Sequence, residues 1–333
     1  MSSVRGRALP VGILAVTIGA AVLVLASATL VAQAQFQFII AATDAKGVPV
    51  TDVTPAEILM SENGVANEIA KVEPFHMPVT LTIAVDNGPL SNEALSHYRS
   101  GLTALVKALP PEVEVTLIAT APQPRMVVRP TLNRDQVLRG INGFAPEREN
   151  PRFTDALVEF SQRLEKELKD KKKVDSVPVM VMISTTANEQ ASYEVPAIQK
   201  ALGFLQARKA KLYVTMIATR SSDATLGNLS ERRDAQSADL SGLNDLNTNR
   251  QALIAIPATK ATGGRYEALA ISNRLTTLLP EFGEEIATLH RKLYNQVLVT
   301  VQRKPGLTGP LQNPRVELTR PGITGQVSLD GLP

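Results

Sequence analysis

A chain of 333 residues that is 44% hydrophobic and 20% charged is long enough for one large domain and a smaller one. It is too apolar to be a fully disordered or collagen-like polymer. A net charge of +3, 4% aromatic residues and no Trp exclude nucleic acid as the expected partner, since they supply neither a clustered cationic footprint nor a base-stacking platform.

The absence of cysteine removes disulfides, thiolate metal sites and a cysteine nucleophile. Residues 1–34 read as a signal peptide. Arg5 and Arg7 precede an apolar run over 11–26, and Ala32-Gln33-Ala34 supplies the small-x-small pattern for cleavage before Gln35. The run is also long enough to stay as an uncleaved anchor, the one case in which a membrane would be a partner. Either way the remainder is expected outside the cytoplasm, periplasmic or secreted. Cleavage would remove Arg5 and Arg7 and leave the mature chain close to neutral.

Residues 35–75 read as β-rich. Phe36, Phe38 and Ile40 alternate with other residues before the turn formers Asp44-Ala45-Lys46-Gly47. Residues 48–50, 58–60 and 69–72 are further short strand candidates, with Glu62-Asn63-Gly64 as a hairpin turn. So short a segment cannot enclose a core by itself and needs strands from elsewhere.

Pro74 and Pro78 bracket the entry to 79–86, a run too short for a helix, rich in β-branched residues and ending on Asp86. It reads as the central strand of a sheet covered on both faces. Asn87-Gly88-Pro89 form a loop, and helical spacing begins near Ser91, which reads as an N-cap. Leu95, Tyr98, Leu102, Leu105 and Leu109 share that helix's inner face. Residues 113–120 supply a second strand. Residues 125–129, behind Pro122 and Pro124, suit an edge, and Asn133 with Gln136 opens a helix to about Gly143.

Phe153, Leu157, Phe160, Leu164 and Leu168 stripe another helix, whose lysine-rich end at 169–173 reads as a solvated C-terminus. A buried strand at 177–184, a helix marked by Val195, Ile198, Leu202 and Leu205, and a strand at 211–219 follow. Residues 221–250 lose apolar spacing and read as an exposed polar insert. A helix over 251–261 ends at Thr262-Gly263-Gly264, and Arg265–Leu269 reads as an edge strand. A long helix then carries Leu275, Leu278, Phe282, Ile286, Leu289 and Leu293 inward. Residues 295–302, Pro314–Leu318 and 325–329 return to β character and are expected to pair with 35–75 as one small unit built from both chain ends.

No catalytic set stands out. His76, His97 and His290 lack metal-ligand spacing, no G-x-S-x-G elbow or phosphate-binding loop occurs, and Gly263-Gly264 is too short to cradle a dinucleotide. Acidic pairs such as Glu284-Glu285 read as solvated helix surface. The chain is therefore not expected to be an enzyme, a hydrolase built from loop carboxylates being the alternative.

The order of strand, acidic terminus, helix and repeated strand–helix units, with Asp155-Ala156-Leu157 and Ala261-Thr262-Gly263-Gly264-Arg265, resembles the von Willebrand factor type A (VWA) family. The resemblance extends to its exported acidobacterial members through 44–50, Ser61-Glu62-Asn63-Gly64, Arg303-Lys304-Pro305-Gly306 and Arg320-Pro321-Gly322. It implies an α/β, Rossmann-like VWA domain over 76–293, with a mostly parallel sheet and helices on both faces. Residues 35–75 and 294–333 would form the small β-rich unit.

The resemblance also implies a metal-ion-dependent adhesion site, with Asp-x-Ser-x-Ser after the first strand, a Thr on a later loop and an Asp after the fourth strand. Here Asp86 matches, but Gly88 and Leu90 replace the two serines, Pro151 the threonine, and Ser184-Thr185-Thr186 stands where the second carboxylate belongs. Asp86 with Ser91 and Thr154 is too small a donor set to strip water from Mg²⁺. The site is thus expected to be vestigial, with no cofactor. Its loops, with Asp86, Asn87, Gly88, Ser91, Pro151, Thr154, Asp155, Thr185 and Thr186, would bind another protein through residues 87–91, 147–153 and 185–189, with the polar insert at 221–250 as a further surface. The alternatives are a cation-dependent adhesion protein using Asp86, Ser91 and Thr154, and a structural or assembly factor of the cell envelope.

Overall fold

The computed structural model describes residues 35–186, 189–218, 250–307 and 309–329. Residues 1–34, expected to be the signal peptide, and nearly all of the expected polar insert lie outside them. Two six-stranded sheets are built from the described residues.

The site-bearing sheet is assembled around β4 (Val79–Val85), which is buried along almost its whole length. β-Branched and aliphatic side chains on both faces suit a strand covered from two sides. β4 pairs in parallel with β5 (Glu114–Ala119) on one side and β7 (Val177–Thr185) on the other. β8 (Lys211–Ile217) and β9 (Arg265–Leu269) continue the sheet in parallel beyond β7. β6 (Arg125–Thr131) closes the other edge antiparallel to β5. The spatial order is therefore β6-β5-β4-β7-β8-β9.

Helices cover both faces. α1 (Leu95–Ala108), α2 (Arg134–Asn142) and the long last helix, α6 (Leu275–Tyr294), share a core with Leu81, Ile83, Val179 and Val181. α3 (Phe153–Lys171), α4 (Val195–Ala207) and α5 (Arg250–Ala261) cover Ala84, Met180, Met182 and Val214 on the opposite face. Each fully buried Leu, Ile or Val contributes about 1.5–3 kcal/mol, so these two layers dominate the stability of the body. Asn133 caps α2 as expected, its side chain accepting the Gln136 N–H at 3.1 Å.

The second sheet is antiparallel and joins the chain ends, in the order β11-β2-β3-β10-β1-β12. Its strands are β1 (Gln35–Asp44), β2 (Ile58–Glu62), β3 (Val65–Phe75), β10 (Gln296–Gln302), β11 (Pro314–Leu318) and β12 (Ile323–Ser328). Phe38, Ile40, Met60, Val297, Val299 and Val301 form its separate core. The two basic-Pro-Gly elements have a structural task here. Arg303 grips the buried Glu62 through two guanidinium nitrogens, at 2.9 and 2.5 Å, and Arg320 grips Glu57 in the same bidentate way at 2.5 and 2.7 Å. Each arginine ties a C-terminal strand to the N-terminal segment.

Two local expectations change. Residues 48–50 form no strand beyond a single bridge between Thr43 and Pro49. Asp44 Oδ1 accepts the N–H groups of Lys46 and Val48, both at 2.8 Å, and winds this stretch into a turn. The helix expected from Ser91 starts as a 3₁₀ turn over Pro89–Ala94 and becomes α-helical only at Leu95.

Candidate functional site

The carboxyl ends of β4, β5, β7 and β8 open on one side of the sheet, where loops of an open α/β fold gather to form a site. Asp86 leaves β4 with its N–H still bonded to Ile183 O at 2.8 Å, and its side chain is 1% exposed. Oδ1 accepts the Gly88 N–H at 2.8 Å. Oδ2 accepts both the Thr185 N–H at 3.1 Å and the Thr185 hydroxyl at 2.6 Å. Burial pushes the Asp86 carboxyl above its ordinary value, and these three donors oppose that shift.

Asn87 fastens the first loop to its neighbours. Its Oδ1 accepts the Ala121 N–H at 2.9 Å, and its Nδ2 donates to Ala145 O at 3.3 Å. At Gly88, where the resemblance implied a serine, a Cβ would stand 2.8 Å from Pro151 Cδ and 3.2 Å from Asp86 Oδ1, which leaves no room for a side chain. Ser91 is buried and donates its hydroxyl back to Gly88 O at 2.7 Å. It sits inside the 3₁₀ turn, while the residue at the N-cap of α1 is Ala94, which corrects the N-cap reading.

The remaining expected residues form a second network. Thr154 in the first turn of α3 donates its N–H to Glu189 Oε2 at 2.8 Å and its hydroxyl to Glu189 Oε1 at 2.5 Å. Asp155 accepts the Ser192 N–H at 2.8 Å on Oδ1 and the Arg152 guanidinium at 3.2 Å on Oδ2. Pro151 presents its carbonyl to the Gln190 N–H at 3.1 Å, and Thr186 donates its N–H to Ile217 O at 2.9 Å.

Glu189 was expected only as the end of the binding loop 185–189, with no role of its own, and the structure makes it the centre of this network. Burial raises its carboxyl above the ordinary range, against the pull of Thr154 and of Arg250, whose Nε lies 3.5 Å away. It caps the N-terminus of α3 from another loop, satisfying a free helix N–H and facing the positive end of the helix dipole. A glutamate in a polar loop carries no such signal in sequence, because the contact is made 35 residues away. The expected residues are thus divided between two buried networks, one around Asp86 and Thr185, the other around Thr154, Asp155 and Glu189.

Among the described residues, no three or more His, Asp or Glu side chains are grouped so as to hold a metal ion. No described helix is long and apolar enough to cross a membrane. The histidines are dispersed: His290 accepts the Val79 N–H at 3.2 Å, His97 lies 2.9 Å from Ser272 Oγ, and His76 stacks on Tyr294.

No family model and no curated protein matches the chain. Among solved structures it is similar to a von Willebrand factor type A protein from Catenulispora acidiphila, at 9% identity and a TM-score of 0.44 over 88% of this chain and 72% of that one. It is also similar to BatB, a conserved hypothetical protein from Bacteroides thetaiotaomicron, at 13% identity and 0.42 over 63% and 98%. A third likeness is to an aerotolerance-related membrane protein from Bacteroides fragilis, at 13% identity and 0.39 over 62% and 99%. These likenesses concern chain path alone. Parallel strands in the order β5-β4-β7-β8-β9, an antiparallel β6 at one edge and helices on both faces give the doubly wound, Rossmann-like arrangement that the VWA resemblance implied.

Proposed function

From a fold of the VWA type whose upper loops are tied to one another, we propose an exported protein–protein interaction module that works without a metal ion. One observation carries the reading. Thr185 stands where the adhesion pattern has a second carboxylate, and it fills the need of Asp86 with a hydroxyl and an N–H in place of a cation.

The rest of the donor set supports it. Gly88 has no room for an oxygen-bearing side chain, the Ser91 hydroxyl is spent on Gly88 O, and the Thr154 hydroxyl is spent on Glu189. A hard divalent ion needs six or so oxygen ligands, and these residues do not fit one. Export is read from the basic, apolar and small-x-small pattern of residues 1–34. Recognition would then rest on shape and on ordinary polar and apolar contacts made by the loops after β4, β5 and β7, where affinity concentrates in a few well-packed anchors.

The test is affinity capture from cell-envelope extracts with and without EDTA, alongside Mg²⁺ and Mn²⁺ titration. Capture should survive the chelator, and titration should show no stoichiometric binding. A partner released by EDTA, with tight metal binding lost in Asp86→Ala, would establish the cation-dependent reading through Asp86, Ser91 and Thr154 instead.

A further inference from the structure

The loop after β4 and the segment after β9 enclose a groove of about 720 Å³ above the α1 and α6 face of the sheet, beside the Asp86 network. Its walls include Leu90 and Glu93 from the 3₁₀ turn, His97 of α1, Thr185 at the end of β7, and Ile271 and Ser272 after β9. That volume lies in the range of sites that hold a side chain or a small ligand, and the place is where α/β sheets bind.

The charge of the groove is one-sided. Among the described residues, Glu93 is the one formally charged side chain in its lining, and no described Lys or Arg lines it. One hydrogen bond behind the Thr185 wall lies Asp86, at 2.6 Å from the threonine hydroxyl. The other two buried carboxylates at this end of the sheet have cationic neighbours, Asp155 with Arg152 and Glu189 with Arg250. Asp86 has only neutral donors among the described residues. A low-dielectric wall between an uncompensated carboxylate and an open groove strengthens the pull on a positive charge.

The rim is apolar. Leu90 is 50% exposed and Ile271 57% exposed, both at the groove mouth. His97 is held by Ser272 at 2.9 Å, which fixes its ring along one wall.

Resting on the proposal of a metal-free interaction module, we infer that this groove takes a Lys or Arg side chain from a peptide segment of the partner. The charge sought in the partner is thereby opposite to the acidic group that a cation-bearing adhesion site would recruit. The aliphatic stem lies against Leu90 and Ile271 while the charged head meets Glu93 and the field of Asp86. A peptide is favoured over a free diamine because the exposed rim residues need flanking apolar side chains, which a diamine lacks.

The experiment uses fluorescein-labelled pentapeptides of sequence Ala-Leu-X-Leu-Ala, capped at the C-terminus, with X as Arg, Lys, Gln or Glu. Binding to the full chain is followed by anisotropy at low salt. The Arg and Lys peptides should bind about tenfold or more tightly than the Glu peptide, with a difference that shrinks as salt rises. Glu93→Gln should remove most of this preference and Glu93→Lys should reverse it, while Ile271→Ser weakens all four peptides alike. Both positions are exposed, so these variants keep the fold. Equal binding of all four peptides, no binding by any, a preference for Glu, or a preference untouched by Glu93→Lys would overturn the inference. So would concentration-dependent self-association abolished by Ile271→Ser, which would identify a second copy as the occupant. The metal-free reading falls separately, on EDTA-sensitive capture, and survives every one of these outcomes.

Discussion

At the scale of single residues, the site is an exercise in keeping buried carboxylates satisfied. Thr185→Val keeps the shape and removes the O–H that serves Asp86 Oδ2, leaving a buried acceptor short of a donor. The expected cost is about 1–3 kcal/mol by urea unfolding. His290 gives a signed pH effect. Burial holds its ring below the ordinary value of 6.5, against the pull of Glu112 and with that of Arg291 and Arg134, and its Nδ1 must stay unprotonated to accept the Val79 N–H. A group whose folded pKa is depressed stabilises above its unfolded value, and that contribution is lost as pH falls from 6.5 through the folded one. The buried Asp86 and Glu189 are shifted upward and act with the opposite sign, losing stability as pH rises through their folded values. The clean measurement is therefore a comparison: between pH 7.5 and 5 the urea midpoint of the parent should fall relative to that of His290→Gln, which cannot titrate. Asp86 was legible in sequence because a buried strand ending on a carboxylate is a local pattern. Glu189 was not, because its meaning depends on Thr154 in the first turn of α3, 35 residues away in the chain.

At the scale of elements, the sequence marks for starts and stops held where the cause is local. Asn133 capping α2 and the Asn63-Gly64 turn, with φ of 49° and 79°, are settled within a few residues. Residues 48–50 misled because their spacing suits a strand, yet the Asp44 carboxylate takes the Val48 N–H and Pro49 has none to give, so pairing stops at one bridge and the Val50 N–H bond to Ala42 O. The Thr262-Gly263-Gly264 stop has a tertiary reason as well. A Cβ at Gly264 would stand 1.9 Å from Leu212 O, so β9 can enter beside β8 only if that position is bare. Gly264→Ala should cost about 1–3 kcal/mol or more, through overpacking against backbone. Gly203, inside α4 with open space where its Cβ would be, makes the control. Gly203→Ala should stabilise by about 0.5–1 kcal/mol in the same thermal or urea series.

At the scale of the whole molecule, the α/β body is bracketed by a sheet that neither chain end could build alone. β10 lies between β3 and β1, and β1 lies between β10 and β12. Removing residues 35–75 would strip both neighbours from β10 and leave its two edges open, the arrangement that invites edge-to-edge association. A chain beginning at residue 76 should therefore show a lower soluble fraction than the chain from residue 35. It should also lose amide-exchange protection over Gln296–Gln302 while keeping it over Val79–Val85. If the shortened chain were equally soluble and equally protected at β10, the terminal sheet would not be the unit proposed.

What the sequence determined unaided were the properties that depend on neighbours along the chain. Among these are the alternation of strands and helices, the buried character of β4, the carboxylate at its end and the lack of a side-chain oxygen at Gly88, Leu90 and Pro151. Only the tertiary structure decided how each surviving polar group is employed: Thr185 on Asp86, Ser91 on its own turn, Glu189 on the end of α3. Hydrogen bonds between distant loops leave no period in the sequence. Burial nevertheless obliges every such group to find a partner, and the folded chain determines which partner is within reach.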